Sequence, residues 1–310
     1  MSLIAAGHAF GARLTPNLRG ALWMLASAVL FTAMTTLIKF LGPGYPAALQ
    51  TFYRQLAGAI ILLPLVVRDW RGALRTTRPG ILIFRSSAGV LAMILGFYAY
   101  QELPLADANA LSFTRTLWLV PLAAVVLREP IGPLRLGAAL VGFLGVLIML
   151  KPGGHGAAHW LGWPQMAALA SALLFALTIT GMKVMTRDHS TFTLLVYAAG
   201  LGLVFSIPPA LFVWRWPSLP DLGLLALMGV IGTLTQGCYI KGMEAGEAAV
   251  MAPIDYTRLV FAVAAGFVLF HEKPSAAVLI GAGVVVASTL FISWREHQVS
   301  RRNALDSQAG

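Results

Sequence analysis

The sequence is poor in charge. Asp, Glu, Lys and Arg make up 11% of its 310 residues, against about 25% in an ordinary soluble domain. Hydrophobic residues reach 58%, and mean hydropathy is +0.78. They run in long blocks instead of alternating with polar residues. That excludes a water-facing surface of the usual kind and makes lipid the natural solvent. Cysteine is nearly absent: Cys238 stands alone. One cysteine forms no intramolecular disulfide, and with no CxxC or Cys/His cluster neither a metal nor another cofactor is expected. There is no Walker A loop, so nothing indicates an ATP-driven pump. His271-Glu272-Lys273-Pro274-Ser275 lacks the second histidine of a zinc protease helix, and Gly281-Ala282-Gly283 lacks the third glycine of a dinucleotide loop. Without a metal cluster, paired acids or an activated nucleophile, no catalytic residues and no enzymatic activity are expected.

What is present is a row of apolar blocks. A bilayer core needs roughly 20 apolar residues per helix. Ten blocks qualify: 18–41, 46–67, 80–101, 105–127, 132–150, 161–185, 191–214, 221–243, 247–270 and 274–294. Breakers such as Gly42-Pro43-Gly44, Arg78-Pro79-Gly80 and Glu129-Pro130 punctuate the short connections. The expected fold is therefore all-α and integral to the membrane, with ten transmembrane helices. Residues 1–16 lack an apolar core with a small-residue cleavage site, so the first block is expected to act as its own insertion signal. The polar segment 295–310 is expected to be a disordered cytoplasmic tail.

The net charge of +10 would point to nucleic acid in a soluble protein. Here the basic residues fall between apolar blocks, so lipid is the expected partner and nucleic acid is not. With a cytoplasmic N-terminus, fourteen Lys and Arg lie inside: Arg13, Arg19, Arg68, Arg71, Arg75, Arg78, Arg128, Arg135, Lys183, Arg187, Lys241, Arg295, Arg301 and Arg302. Four lie outside: Lys39, Lys151, Arg215 and Lys273. The asymmetry satisfies the positive-inside rule and predicts that both termini are cytoplasmic.

The two halves repeat. LASAVLFTAMTTLIK at 25–39 and LASALLFALTITGMK at 169–183 share eight of fifteen positions at an offset of 144, including Phe31/Phe175 and Lys39/Lys183. Thr114-Arg115 recurs as Thr257-Arg258 at an offset of 143, and Glu129-Pro130 parallels Glu272-Lys273-Pro274. Units are expected at 18–150 and 161–294. An odd number of spans per unit makes the two copies face opposite ways, a plan that recurs in secondary transporters and occurs also in channels.

This arrangement resembles the drug/metabolite transporter superfamily, and within it the EamA-type permeases. The resemblance is carried by the opening span ALWMLASAVLFTAMTTLIK, by Phe52-Tyr53-Arg54-Gln55, by YAYQELPLADANALSFTR from Tyr98 to Arg115, and by the span ends Arg128-Glu129-Pro130 and His271-Glu272-Lys273-Pro274. It implies export of small metabolites, amino acids or amphipathic toxic compounds across the bacterial inner membrane. Bacterial amino-acid and metabolite exporters are the nearest match it suggests. A passive channel or facilitator for small polar solutes, or a multidrug exporter, is the alternative reading.

Charges inside spans mark the place to look, because burying one at the bilayer centre costs about 2.5–3.5 kcal/mol on insertion scales. Arg54, Arg115, Asp255 and Arg258 lie well inside their blocks. Asp255 and Arg258 are three apart, hence on one helix face. Arg115 holds the place equivalent to Arg258, but Ser112 stands where the second copy has Asp255, which leaves Arg115 without an obvious local partner. Asn109, Ser112 and Arg115 share a face and suit a substrate carboxylate; equally, these arginines suit backbone carbonyls at broken helix ends. Asp255 is either the group that takes a coupling proton or half of a permanent ion pair. Tyr98, Trp118, Gln236, Tyr239, Phe31 and Phe175 are candidates for an aromatic and amide lining, with packing or lipid contact as the plainer reading. Small residues at Ala138/Gly142 and Ala277/Gly281 suit close helix packing within a scaffold, or a weak dimer instead of a monomer.

Overall fold

The computed structural model describes residues 16–68, 76, 79–126, 133–150, 162–185, 191–245, 251 and 254–309. Among them there is no strand. Lipid offers backbone groups no hydrogen bonds, so long apolar segments resolve into helices that bond internally. In chain order these are α1 (Pro16–Leu41), α2 (Ala47–Arg68), α3 (Pro79–Glu102), α4 (Leu105–Ser112), α5 (Thr114–Val126) and α6 (Pro133–Met149). The second half contributes α7 (Trp163–Met185), α8 (Thr191–Phe212), α9 (Leu219–Ala245), α10 (Thr257–Phe270) and α11 (Ala276–Ala309). Six helical stretches are long and apolar enough to cross a membrane: α1, α2, α3, α4 with α5, α7 and α9. Four shorter apolar helices accompany them, within α6, α8, α10 and α11.

Helix packing obeys an exchange of halves. α1 lies along α9, and its counterpart α7 lies along α3. α2 meets α9 as α8 meets α3. Two pairs are their own counterparts, α2 with α8 and α6 with α11, and α4 of the fourth block meets α10 of the ninth. The repeat seen in the sequence is thus a repeat of contacts, and its axis runs between the halves. Gly281 and Gly145 show how close α6 and α11 come: a Cβ on Gly281 would lie 2.4 Å from the Gly145 carbonyl oxygen. A Cβ on Gly142 would lie 2.4 Å from the Leu117 side chain. These small residues serve contacts within the chain, as the scaffold reading expects.

Two features differ from the sequence reading. The fourth block is broken: the ladder stops at Phe113 between α4 and α5. Residues 254–255 are likewise helical, Tyr256 is a turn, and α10 starts after it. Phe113 and Tyr256 are separated by the repeat offset of 143, and their rings meet edge to face at 4.8 Å. The Thr114 hydroxyl donates to the Leu111 carbonyl at 2.7 Å and the Thr257 hydroxyl to the Ile254 carbonyl at 2.6 Å. At each break a threonine hydroxyl thus bonds the carbonyl three residues back. The second difference is the tail. α11 continues as helix to Ala309 instead of ending at Trp294. Residues 295–309 contain no Gly or Pro and include Arg, Glu, Gln, Ala and Leu, all good helix formers, which extend a helix already nucleated in the membrane.

Candidate substrate site

The two broken helices put their polar faces together. Asp255 Oδ2 lies 3.0 Å from Arg258 Nη2 and 3.6 Å from Arg115 Nη2. The sequence reading left Arg115 without a partner; the structure supplies one from the other half. The reason is the exchange axis, which brings the first copy's α4 against the second copy's α10 and lets one carboxylate serve both repeat-equivalent arginines. With all three groups ionised the cluster carries one surplus positive charge.

The two arginines differ in setting. Arg258 is 6% exposed at its side chain, Arg115 28%. The Arg258 guanidinium is sandwiched by the rings of Phe31 at 4.9 Å and Phe113 at 4.7 Å, a geometry that offsets part of its lost hydration. Asn109 is fully buried and donates from Nδ2 to the Arg258 carbonyl at 3.0 Å. Ser112 donates to the Asn109 carbonyl at 2.7 Å. Side chains thus cap the broken backbone, while the arginines keep the carboxylate. Arg258 is buried between two rings and close to Asp255. Arg115 is the accessible cation.

The remaining candidates divide. Phe31 belongs to the cluster, and its ring meets Tyr100 at 6.1 Å between centroids. Tyr239 lies within electrostatic reach of Arg258. Trp118 packs its ring edge to face on Phe143 at 4.8 Å, and its indole N–H has no hydrogen-bond partner. Tyr98 and Phe175 are half-buried and show no ring contact with the charged groups among the described residues. Gln236 is exposed on α9. Three residues escaped the sequence reading: Tyr100, whose buried hydroxyl has no hydrogen-bond partner, and the Phe113–Tyr256 pair. The last two were findable, because they sit just before Thr114-Arg115 and Thr257-Arg258 in the same register.

A second ionic cluster closes one end of the bundle. Lys39 at the end of α1 pairs with Glu272, which follows α10. The other Glu272 oxygen accepts the Leu105 backbone N–H at 2.8 Å, at the start of α4. Lys39 also donates to the Leu103 carbonyl and lies 5.5 Å from the Phe270 ring centroid. His271 adopts a left-handed conformation, φ 55°, which turns the chain back after α10 just before Glu272. Asp107, also on α4, is within electrostatic reach of both Lys39 and Glu272. The repeat-equivalent Lys183 side chain and the segment Arg128-Glu129-Pro130 lie outside the described residues.

An apolar groove of about 330 Å³ opens between α2 and α8, lined by Ala59, Leu62, Val196 and Leu201 among others. It offers a polar solute almost nothing to bond, so the charged clusters carry the functional argument.

The EamA-like transporter family matches the sequence twice, over residues 18–151 and 162–294. The chain belongs to the EamA-like transporter family. Among its relatives is a protein of Rickettsia bellii named as an S-adenosylmethionine uptake transporter, 31% identical over 274 residues, covering 88% of this chain and 93% of the relative. A riboflavin transporter of Vibrio cholerae is 28% identical over 293 residues, covering 92% and 96%. A pseudopaline exporter of Pseudomonas aeruginosa is 26% identical over 275 residues, covering 88% and 95%. One solved crystal structure superimposes with a TM-score of 0.59 at 18% identity, over 88% of this chain and 98% of that one. That likeness shows the fold. As an EamA-like transporter, this is a multi-pass membrane protein, and its relatives are named for carrying small molecules.

Proposed function

We propose that this EamA-like transporter is a secondary transporter that moves amino acids or related amphipathic metabolites across the bacterial inner membrane by alternating access. The single observation that carries the reading is the surplus positive charge of Arg115, Asp255 and Arg258 at two broken helices. Discontinuous helices near the midplane are where such transporters hold substrate. A substrate carboxylate on Arg115 would neutralise the cluster. Phe31, Phe113 and Tyr100 offer apolar and aromatic surface beside it. S-adenosylmethionine, carried by one relative, has a carboxylate and an aromatic base, which supports this pairing of chemistries.

The two units, 18–150 and 161–294, are proposed to face opposite ways, with both termini cytoplasmic. Asn109, Ser112, Arg115, Asp255 and Arg258 form the centre of the proposed site. Tyr98, Trp118, Tyr239 and Phe175 are assigned to the walls of the pathway, and Gln236, exposed on α9, is left outside it. Asp255 lies between two arginines, which suits a permanent ion pair better than a proton carrier. Protons remain the proposed coupling ion, with the chain acting as a monomer. Export is the proposed direction, as in the relative named for pseudopaline.

Reconstituted vesicles test this. Counterflow of a labelled amino acid against an unlabelled internal pool, lost in Arg115→Ala, supports a carrier with this site. Uniform leak without counterflow overturns it in favour of a channel. Loading of right-side-out vesicles alone would overturn the direction.

A further inference from the structure

Arg54 is a third intramembrane arginine that the cluster does not use. It lies in α2 about 10 Å along from the helix start. Its Nη1 donates to Gln55 Oε1 at 3.1 Å and approaches Met93 Sδ of α3 at 3.5 Å. On α9, a Cβ built on Gly232 would lie 3.1 Å from Arg54 Nε and 3.0 Å from the Met34 sulfur of α1. Neutral atoms therefore pack around the guanidinium. Among the described residues no carboxylate pairs with it, and its Nε–H has no hydrogen-bond partner. A guanidinium desolvated without a counter-ion destabilises the fold unless something else recovers the loss.

We infer that Arg54 is a second anion-recognising residue of the transport site, taking a carboxylate or similar oxyanion group at the end of the substrate away from Arg115. The inference rests on the transport reading above. Three further observations carry it. First, Arg54 shares walls with Arg258, which meets Arg115 at Asp255. Met34 beside Arg54 is one helical turn from Phe31 beside Arg258, and Met93 is two turns from Tyr100 on α3. The separation along these helices is roughly 5–10 Å, the reach of a small dicarboxylate. Second, Arg54 Nε–H, Arg258 Nε–H and Trp118 Nε1–H are buried donors without partners, beside the Thr51 and Tyr100 hydroxyls and the acceptors Gln50 Oε1 and Asn109 Oδ1. The three N–H donors call for a ligand with acceptor oxygens. Third, the repeat does not need this cation. At the offset of 144 Tyr53 recurs as Tyr197, but Arg54 meets Ala198. A scaffold role common to both copies would have kept it.

The test uses purified full-length protein in detergent and its melting temperature. The probes are glutarate, butyrate and chloride at constant ionic strength. Glutarate is expected to raise the Tm of the wild type saturably and more than butyrate does, with chloride inert. In Arg54→Met the Tm without anion should rise by about 2–4 °C, because the uncompensated charge is gone. The glutarate response should fall to the size of the butyrate response. Arg54→Lys, which keeps the charge and loses the fork, should need about tenfold more glutarate. Full glutarate response in Arg54→Met or in Arg54→Lys overturns the inference, as does chloride matching glutarate. Loss of the butyrate response in Arg115→Ala alongside an unchanged glutarate response in Arg54→Met would leave the transport site standing and sink Arg54 alone. A wild type that no carboxylate stabilises sinks both.

Discussion

The Lys39–Glu272 cluster at the end of the bundle and the Arg115–Asp255–Arg258 cluster at the helix breaks both join the two halves. Their charge balance differs. At the end, Lys39 pairs with Glu272 with Asp107 in electrostatic reach of both, so no cation is left over, and the second Glu272 oxygen accepts the backbone N–H at the start of α4. At the breaks, two cations share one carboxylate, and the more exposed of them holds it at the longer distance. A saturated pair reads as a structural tie that holds one mouth of the bundle together. An under-neutralised group costs stability unless a further anion neutralises it. Under the proposed function, the difference separates a charge pair that ties the fold from a cluster with a cation to spare.

Asp255→Ala attacks the comparison hardest. It leaves two arginines facing each other with no counter-ion, and a loss of about 3–5 kcal/mol in stability is expected, read as a fall in Tm together with abolished counterflow. A Tm within a degree of wild type would mean that lipid or water neutralises the arginines. Glu272→Gln keeps an acceptor for the Leu105 N–H but removes the charge opposite Lys39. It should cost about 1–3 kcal/mol, and in a double-mutant cycle Lys39 and Glu272 should couple by about 0.5–3 kcal/mol. No coupling would remove the tie. Arg115→Ala should leave stability within about 1 kcal/mol, because Asp255 keeps Arg258 and an exposed pair contributes little, while counterflow falls more than tenfold. Equal losses of stability and transport would make Arg115 structural. Gln236→Ala is expected to change neither measurement by a detectable amount, since the side chain is exposed on α9.

Much of this was legible before any coordinates. Block length and the scarcity of charge point to membrane helices, and the offsets of 143 and 144 point to two units. The same offsets pair Arg115 with Arg258 and place Ser112 opposite Asp255. The breaks at Phe113 and Tyr256 were harder to read, because no Gly or Pro stands at either turn. A local threonine hydroxyl bond and the edge-to-face contact of Phe113 with Tyr256 mark them, and the ring contact is tertiary. Where Tyr98, Phe175 and Gln236 point was not legible, because residue type does not say which way a helix face turns.

The sequence by itself determined the solvent, the class of fold and the doubling, since each follows from composition, run length and register along one chain. Tertiary structure alone decided that Asp255 reaches Arg115, that Glu272 caps α4 beside Lys39, and that Arg54 meets no acid among the described residues. These are distances between groups far apart in sequence, fixed by how the two halves pack through their exchange. In lipid that packing, and not hydration, decides which charges are balanced.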